Sequence, residues 1–367
     1  MPWRPVDSDL LARCEPSRVH GLMTRTFSDS AAALTNAALS FSPPRWLANA
    51  HLQSILPSLK LRRPFLARRA RDLLAASTPQ LLDCGEGVRL LGYHSTQTAL
   101  GRPPARDLVI LLHGWEGSAD SLYVLSLGAY LYGLGCDVFR LNFRDHGPTH
   151  HLNPELFHSC RLNEVIGAVR CIQRLAPGQR LTIAGFSLGG NFALRVAARA
   201  ASSGLELDRA VAVCPVLRPH STMEVLENGS FIYRQYFLAK WKRSLRLKQQ
   251  LFPDLYDFSK VLKMNSLRAM TELLLEHYSE FPSLDAYLDG YAIVGDALAQ
   301  LAIPSYALLA LDDPIIPARD VADLARNPYL EVLTIPHGGH CGFMDTFNRE
   351  SWADRKVASL LEVGRRS

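Results

Sequence analysis

From about residue 80 onward, short apolar or β-branched runs alternate with longer stretches whose apolar residues recur at helical spacing. This alternation restricts the fold more than any other feature of the chain. Strands joined through helices run parallel and are covered on both faces, so they read as continuous apolar runs. Leu108 to Leu112 is such a run, and Gln80 to Cys84 with Val88 to His94 reads as a hairpin around Gly85-Glu86-Gly87. Asp120 to Leu134 then reads as a helix and Asp137 to Asn142 as a strand. In Asn163 to Leu175, Val165, Ile166, Val169 and Ile172 share a helix face, and Pro177-Gly178 stops it. Strands follow at Leu181 to Ala184 and Ala210 to Cys214, with a helix from Asn191 to Ala201 between them. Two more strands, Ser305 to Leu309 and Glu331 to Ile335, flank a helix at Ala318 to Ala325, and a last helix lies near Trp352 to Val363. Such a βαβα order predicts an α/β fold with a mostly parallel central sheet and helices on both faces.

Two regions break the rhythm. Residues 1–79 read as an irregular N-terminal extension packing on the core, with Pro43-Pro44 and a basic stretch from Arg62 to Arg71. Residues 216–300 read as helical and aromatic-rich between two core strands, which predicts a cap inserted over the strand ends. The core is then 80–215 plus 301–367. With 48% hydrophobic and 20% charged residues, the chain has ample material for this core and is no disordered or disulfide-stapled peptide. A net charge of +5 over 367 residues gives no reason to expect nucleic-acid binding. The seven scattered cysteines include no C-x-x-C, which disfavours a disulfide framework or a zinc site and points to a reducing compartment. Met1 to Arg13 lacks an apolar targeting core. The longest uncharged run, 16 residues between Asp120 and Asp137, holds three glycines and is too short to span a bilayer, so a soluble, cytoplasmic chain is expected.

The chemistry concentrates at predicted strand ends. Gly185-Phe186-Ser187-Leu188-Gly189 is a G-x-S-x-G sequence between a strand and a helix, the context in which a serine sits exposed on a sharp turn. His113-Gly114-Trp115 closes the Leu108 to Leu112 strand. The N–H groups of Trp115 and Leu188 are the candidate oxyanion donors, with His113 a packed turn residue. A carboxylate and a histidine must follow in that order. Asp313, with Asp312 as competitor, lies 126 residues after Ser187, far enough to hold the cap. His340, with His337 as competitor, lies 27 residues later, room for one helix and one strand. The aspartate directly before Pro314-Ile315-Ile316-Pro317 fits the usual loop after this strand, and Gly338-Gly339 frees the loop to deliver the later histidine. Cys341 reads as a buried neutral cysteine. His146, His150, His151 and His158 lack metal-ligand spacing and read as a loop at the site's rim. Lys240-Trp241-Lys242-Arg243, with Arg246 and Lys248, reads as a solvated basic face that could also rest weakly on an anionic membrane surface.

With these residues in place, the chain resembles the α/β-hydrolase superfamily, and within it the YheT-like branch. His113-Gly114, Gly185-x-Ser187-x-Gly189, Asp313 and His340, in order, carry the first likeness. Pro43-Pro44-Arg45-Trp46-Leu47, His51-Leu52-Gln53-Ser54, Asp312-Asp313-Pro314 and Gly338-Gly339-His340-x-Gly342-Phe343 carry the second, over residues 43–363. The chain departs from the branch's F-R-G-x-x-G at Phe143-Arg144-Asp145-His146-Gly147, from its Y-H-S-G at Phe157-His158-Ser159-Cys160, and across Arg234 to Met264. The resemblance implies an α/β-hydrolase fold and hydrolysis of a carboxylic ester or lipid, sometimes acyl transfer. The residues themselves point to a cofactor-independent, metal-free serine hydrolase with catalytic Ser187, Asp313 and His340 acting on a small-molecule or lipid-like ester. An acyltransferase and a non-catalytic binding protein on the same fold are the rival classes.

Overall fold

The structure, a computed structural model, describes residues 41–364; the first forty residues of the expected extension lie outside the described residues. Residues 45–75 are not irregular, as expected from sequence, but a run of short helices: α1 (Ala50–Ile55), α2 (Arg63–Arg69) and α3 (Arg71–Ala75), linked by 3-10 turns. Their brevity hides them from a periodicity reading. Asn49 caps α1 by accepting from the N–H groups of His51 and Leu52. Pro57 and Pro64 stand in first turns, where a missing N–H breaks no helical bond.

The core follows in order: β1 (Ser77–Asp83), β2 (Arg89–Ser95), β3 (Asp107–Leu112), α4 (Leu122–Gly133), β4 (Asp137–Leu141), α5 (Leu162–Leu175), β5 (Arg180–Phe186), α6 (Leu188–Arg199) and β6 (Leu207–Val213). Four helices come next, α7 (Pro219–Asn228), α8 (Phe231–Leu251), α9 (Leu267–Tyr278) and α10 (Leu284–Asp289). The chain then adds β7 (Ser305–Ala310), β8 (Leu330–Ile335) and α11 (Trp352–Leu360). The helix expected at 318–325 is instead a 3-10 segment, Ala318–Asp323, whose apolar Ala318 and Val321 match a three-residue turn.

One eight-stranded sheet runs β1-β2-β4-β3-β5-β6-β7-β8. The pairings β1–β2 and β2–β4 are antiparallel and the rest are parallel. Every residue of β3, β4 and β7 is buried, the result of two covered faces. The register sets Leu112 beside Gly185, Phe186 beside Val213, Val213 beside Leu308, and Ala310 beside Ile335. The loops after β3, β5, β7 and β8 therefore leave one edge of the sheet, where open α/β sheets bind ligands.

Helix α8 keeps only part of the solvated basic face expected for 240–248: Arg243 and Arg246 are exposed, but a second stripe is not. Lys240, Ser244 and Lys248, spaced i, i+4, i+8, share a stripe that faces the core. Lys240 Nζ donates to Glu116 O (2.8 Å), and Ser244 Oγ to Asp145 O (3.3 Å). Lys248, 1% exposed, pairs with Asp145 Oδ1 (2.8 Å) and donates to Asn153 O (2.6 Å). A run of basic residues does not reveal which member has an acid waiting far away in sequence, so this stripe was hidden.

Candidate active site

Ser187 is the single residue between β5 and α6, with φ 53° and ψ −120°. Its N–H donates to Val213 O (2.9 Å), which ties the turn to β6. Helix α6 starts at Leu188, three residues before the expected Asn191, because its first turn is Leu188-Gly189-Gly190, a poor helix former held by packing. The glycines are needed where they stand: a Cβ on Gly185 would run into the backbone of Gly189, and one on Gly189 into the carbonyls of Leu112 and His113.

The turn after β3 is braced by two histidines. His113 Nδ1 donates to Gly114 O (2.7 Å), leaving Nε2 to accept from Phe143 N–H (3.2 Å). His146 repeats the device, with Nδ1 on Arg144 O (2.6 Å) and Nε2 accepting from Glu116 N–H (3.1 Å). Both rings must be neutral to accept at Nε2, and burial agrees, lowering His113 to about 4 and His146 well below the usual histidine value. Gly114 N–H donates to Tyr123 Oη (3.0 Å). Among the described residues the N–H groups of Trp115 and Leu188 make no hydrogen bond.

Asp313 meets His340, Oδ2 to Nδ1 at 2.8 Å, while its Oδ1 accepts from the N–H groups of Ile315 (2.8 Å) and Ile316 (3.0 Å). Its side chain is fully buried. Burial works against the imidazolium, but the charge of Asp313 at this distance outweighs it and holds His340 above the usual histidine value. The competitors sit elsewhere: Asp312 accepts from Gly339 N–H (2.9 Å), and the exposed His337 lies 3.5 Å from Asp312. Among the described residues no hydrogen bond joins Ser187 Oγ to His340, and neither His340 nor Asp313 lines the cavity that contains Ser187.

The loop bearing His340 rests on the N-terminal helices. Ser54 Oγ accepts from His340 N–H (2.8 Å). Gln53, fully buried, donates to Leu47 O (3.0 Å) and Met344 O (2.9 Å) and accepts from Met344 N–H (2.8 Å). A Cβ on Gly339 would strike Ala50 O and one on Gly342 would strike Gln53 O, so α1 and this loop are in backbone contact. Sequence reasoning used His51-Leu52-Gln53-Ser54 as a mark of resemblance without seeing this brace. No local signal marked it: Gln53 is the one buried residue of α1, while the apolar Leu52 beside it is exposed.

Ser187, Leu188 and Trp115 open onto a cavity whose far wall comes from α7, α8 and α9, among them Met223, Leu226, Phe237, Trp241 and Leu274. Phe237 stacks on Trp115 (5.2 Å between ring centroids) and Trp241 meets the same ring edge-on (5.3 Å). Glu116 also lines it, its carboxyl pushed up to about 8 by burial in spite of Lys240. The other histidines do not gather: His150 Nε2 pairs with Ser244 Oγ (2.7 Å) and His158 packs edge-on against Phe281.

A mostly parallel sheet that raises a serine on a strained strand–helix turn, with an Asp–His pair arriving from the last two strands, defines an α/β hydrolase. The chain matches the alpha/beta hydrolase fold family over residues 107–347, about two thirds of its length, and belongs to that family. Within it the likeness runs to the YheT-like branch. The chain is 26% identical to human protein ABHD15 over 94% of this chain and 72% of that one, and 24% identical to YheT of Escherichia coli (strain K12) over 89% and 94%. Among solved structures, an esterase of Pyrococcus furiosus, Pf2001, shares the fold with a TM-score of 0.53 at 15% identity, covering 80% of this chain and 94% of that one. Among the described residues no helix is long and apolar enough to cross a membrane.

Proposed function

We propose that this chain hydrolyses a carboxylic ester with an apolar acyl group through a covalent acyl-enzyme. In this reading Ser187 Oγ attacks the ester carbonyl and passes its proton to His340 Nε2, which returns it to the leaving alcohol. Water then enters by the same route and frees the acid. Asp313 holds Nδ1–H and stabilises the imidazolium, and the N–H groups of Trp115 and Leu188 hold the oxyanion. Helices α7–α10 act as the cap of residues 216–300, and the aromatic wall they add to the cavity supports an apolar acyl chain. Exposed Phe231 and Ile232 at the start of α8 suit weak contact with a lipid surface.

The observation that carries the reading is the set of unspent groups around one residue. Ser187 is held in left-handed backbone at a cavity, two N–H donors beside it are unengaged, and a buried Asp–His pair leaves one imidazole nitrogen free of the carboxylate. The name of YheT carries the word esterase, which agrees. The test is labelling with a fluorophosphonate, wild type beside Ser187→Ala, with the adduct located by mass spectrometry. An adduct on Ser187, absent in the variant, is expected. A folded wild type that neither labels nor cleaves short p-nitrophenyl esters would overturn the reading.

A further inference from the structure

Two cysteines have no part in that chemistry, yet the fold sets both against its imidazole. Cys214 directly follows β6 and Cys341 directly follows His340; both take left-handed backbone, φ 45° and 60°. Cys214 is fully buried and Cys341 is 9% exposed. Cys341 N–H donates to Cys214 Sγ (3.3 Å), and Cys341 Sγ donates to Val213 O (3.5 Å), the carbonyl that also receives Ser187 N–H. The two sulfurs and a ring nitrogen of His340 all lie within 4.8 Å of one another.

Ligand atoms around a tetrahedral Zn²⁺ stand roughly 3.5–3.8 Å apart, given bonds of about 2.3 Å to sulfur and 2.0–2.1 Å to nitrogen. The three atoms therefore need to close by at most about 1.0–1.3 Å, a side-chain adjustment. Two thiols and an imidazole select soft or borderline ions over Mg²⁺ and Ca²⁺, and a Cys₂His set leaves the fourth position open. We propose that Cys214, Cys341 and His340 form a site for a Zn²⁺-type metal ion, and that occupying it switches off the chemistry of Ser187. The two thiols bind as thiolates and release their protons to solvent, so binding strengthens as pH rises. Inhibition follows whichever ring nitrogen the ion takes: at Nδ1 it displaces Asp313, and at Nε2 it removes the acceptor for the Ser187 proton. This consequence rests on the hydrolase reading, whereas the binding does not.

The test uses the reduced, metal-free full chain, titrated with Co²⁺ and followed by thiolate-to-cobalt charge-transfer absorption, then with Zn²⁺ during hydrolysis of p-nitrophenyl acetate. Wild type should show one Co²⁺ per chain with that absorption, displaced by Zn²⁺ and missing in the Cys214→Ser/Cys341→Ser double variant. Hydrolysis by wild type should fall at least about tenfold at saturating Zn²⁺ and return with EDTA. In each single variant the Zn²⁺ needed for half-inhibition should rise at least about 10–100-fold, the loss that even an outer-shell change brings, each rate being referred to that variant's own metal-free rate. Cys341→Val replaces Cys341→Ser if a hydroxyl there unfolds the chain. Three results would overturn the proposal: no charge-transfer absorption in wild type, absorption or inhibition that survives in the double variant, or a Cys214–Cys341 disulfide in place of the bound ion. If wild type hydrolyses nothing, the absorption alone decides the metal site, and the hydrolase reading fails separately.

Discussion

Replacing Ser187 by glycine should make the protein more stable while making it inert. At φ 53° and ψ −120° the serine occupies backbone space that non-glycine residues hold at a cost of about 1–3 kcal/mol. Glycine removes that cost and adds about 0.5–1 kcal/mol of unfolded-chain entropy. No hydrogen bond from Ser187 Oγ is lost, because none is made among the described residues. The difference centres near 1 kcal/mol in favour of glycine, a rise of roughly 1–2 °C in Tm for a chain of this size. Ser187→Ala is the reference, since it removes the hydroxyl but keeps the Cβ and the strain. The assay is urea unfolding of the two variants followed by tryptophan fluorescence and far-ultraviolet circular dichroism, with coincident transitions required before free energies are compared. If glycine instead falls about 0.5–1 kcal/mol below alanine, the ordinary glycine penalty is all that is present and no strain is stored at the turn.

Four further results are expected. Asp313→Asn should lower kcat by roughly 10⁴-fold and Asp312→Asn by less than about tenfold, since only Asp313 reaches His340. In wild type the acid limb of kcat/KM should lie above the ordinary histidine value of about 6.5, because the base must be neutral and Asp313 favours the charged ring; activity drops as pH falls through that limb, and Asp313→Asn moves it downward. Lys248→Met should cost about 3–5 kcal/mol in thermal unfolding by stranding the buried Asp145 carboxylate, and adding Asp145→Asn should recover part of it. Gln53→Leu leaves Leu47 O, Met344 O and Met344 N–H without their partner; it should cost about 2–4 kcal/mol and, in protein verified as folded, lower kcat more than it raises KM.

The fold was legible because its strands are covered on both faces. Burial on two sides demands an unbroken apolar run, and Leu108 to Leu112 supplies one without any knowledge of its neighbours. The order of Ser187, Asp313 and His340 was legible for a related reason, since a parallel sheet delivers successive loops to one edge. Illegible were the contacts that hold those loops. His113 and His146 accept from backbone N–H groups 30 residues away, and Gln53 reaches Met344 across 291. No local pattern encodes such pairs, because each partner is a main-chain group that every residue owns. The short helices of 45–75 were missed for the opposite reason: they are local, but too short for a period to repeat.

Asp145 and Lys248 mark where this chain departs from the branch it resembles. Where the resemblance expects glycine in F-R-G-x-x-G, this chain has Asp145, and the backbone there keeps φ 56°. Aspartate is one of the few side chains that tolerate that conformation, so the turn survives the exchange. The carboxylate, however, is buried, and burial holds its pKa above the usual value, an effect that a neighbouring cation counters only in part. Lys248 supplies that cation from α8, inside the stretch where the likeness to the branch lapses. A departure in the core and a departure in the inserted helices thus answer each other: with glycine at 145, Lys248 would lose its only carboxylate among the described residues. A buried charge pair tolerates little lateral shift, so it fixes how α8 seats against the loop of 145–157. Trp241 and Leu245, on the same helix, wall the cavity beside Ser187. The ion pair therefore helps to place that wall, and Asp145 and Lys248 themselves line the same cavity.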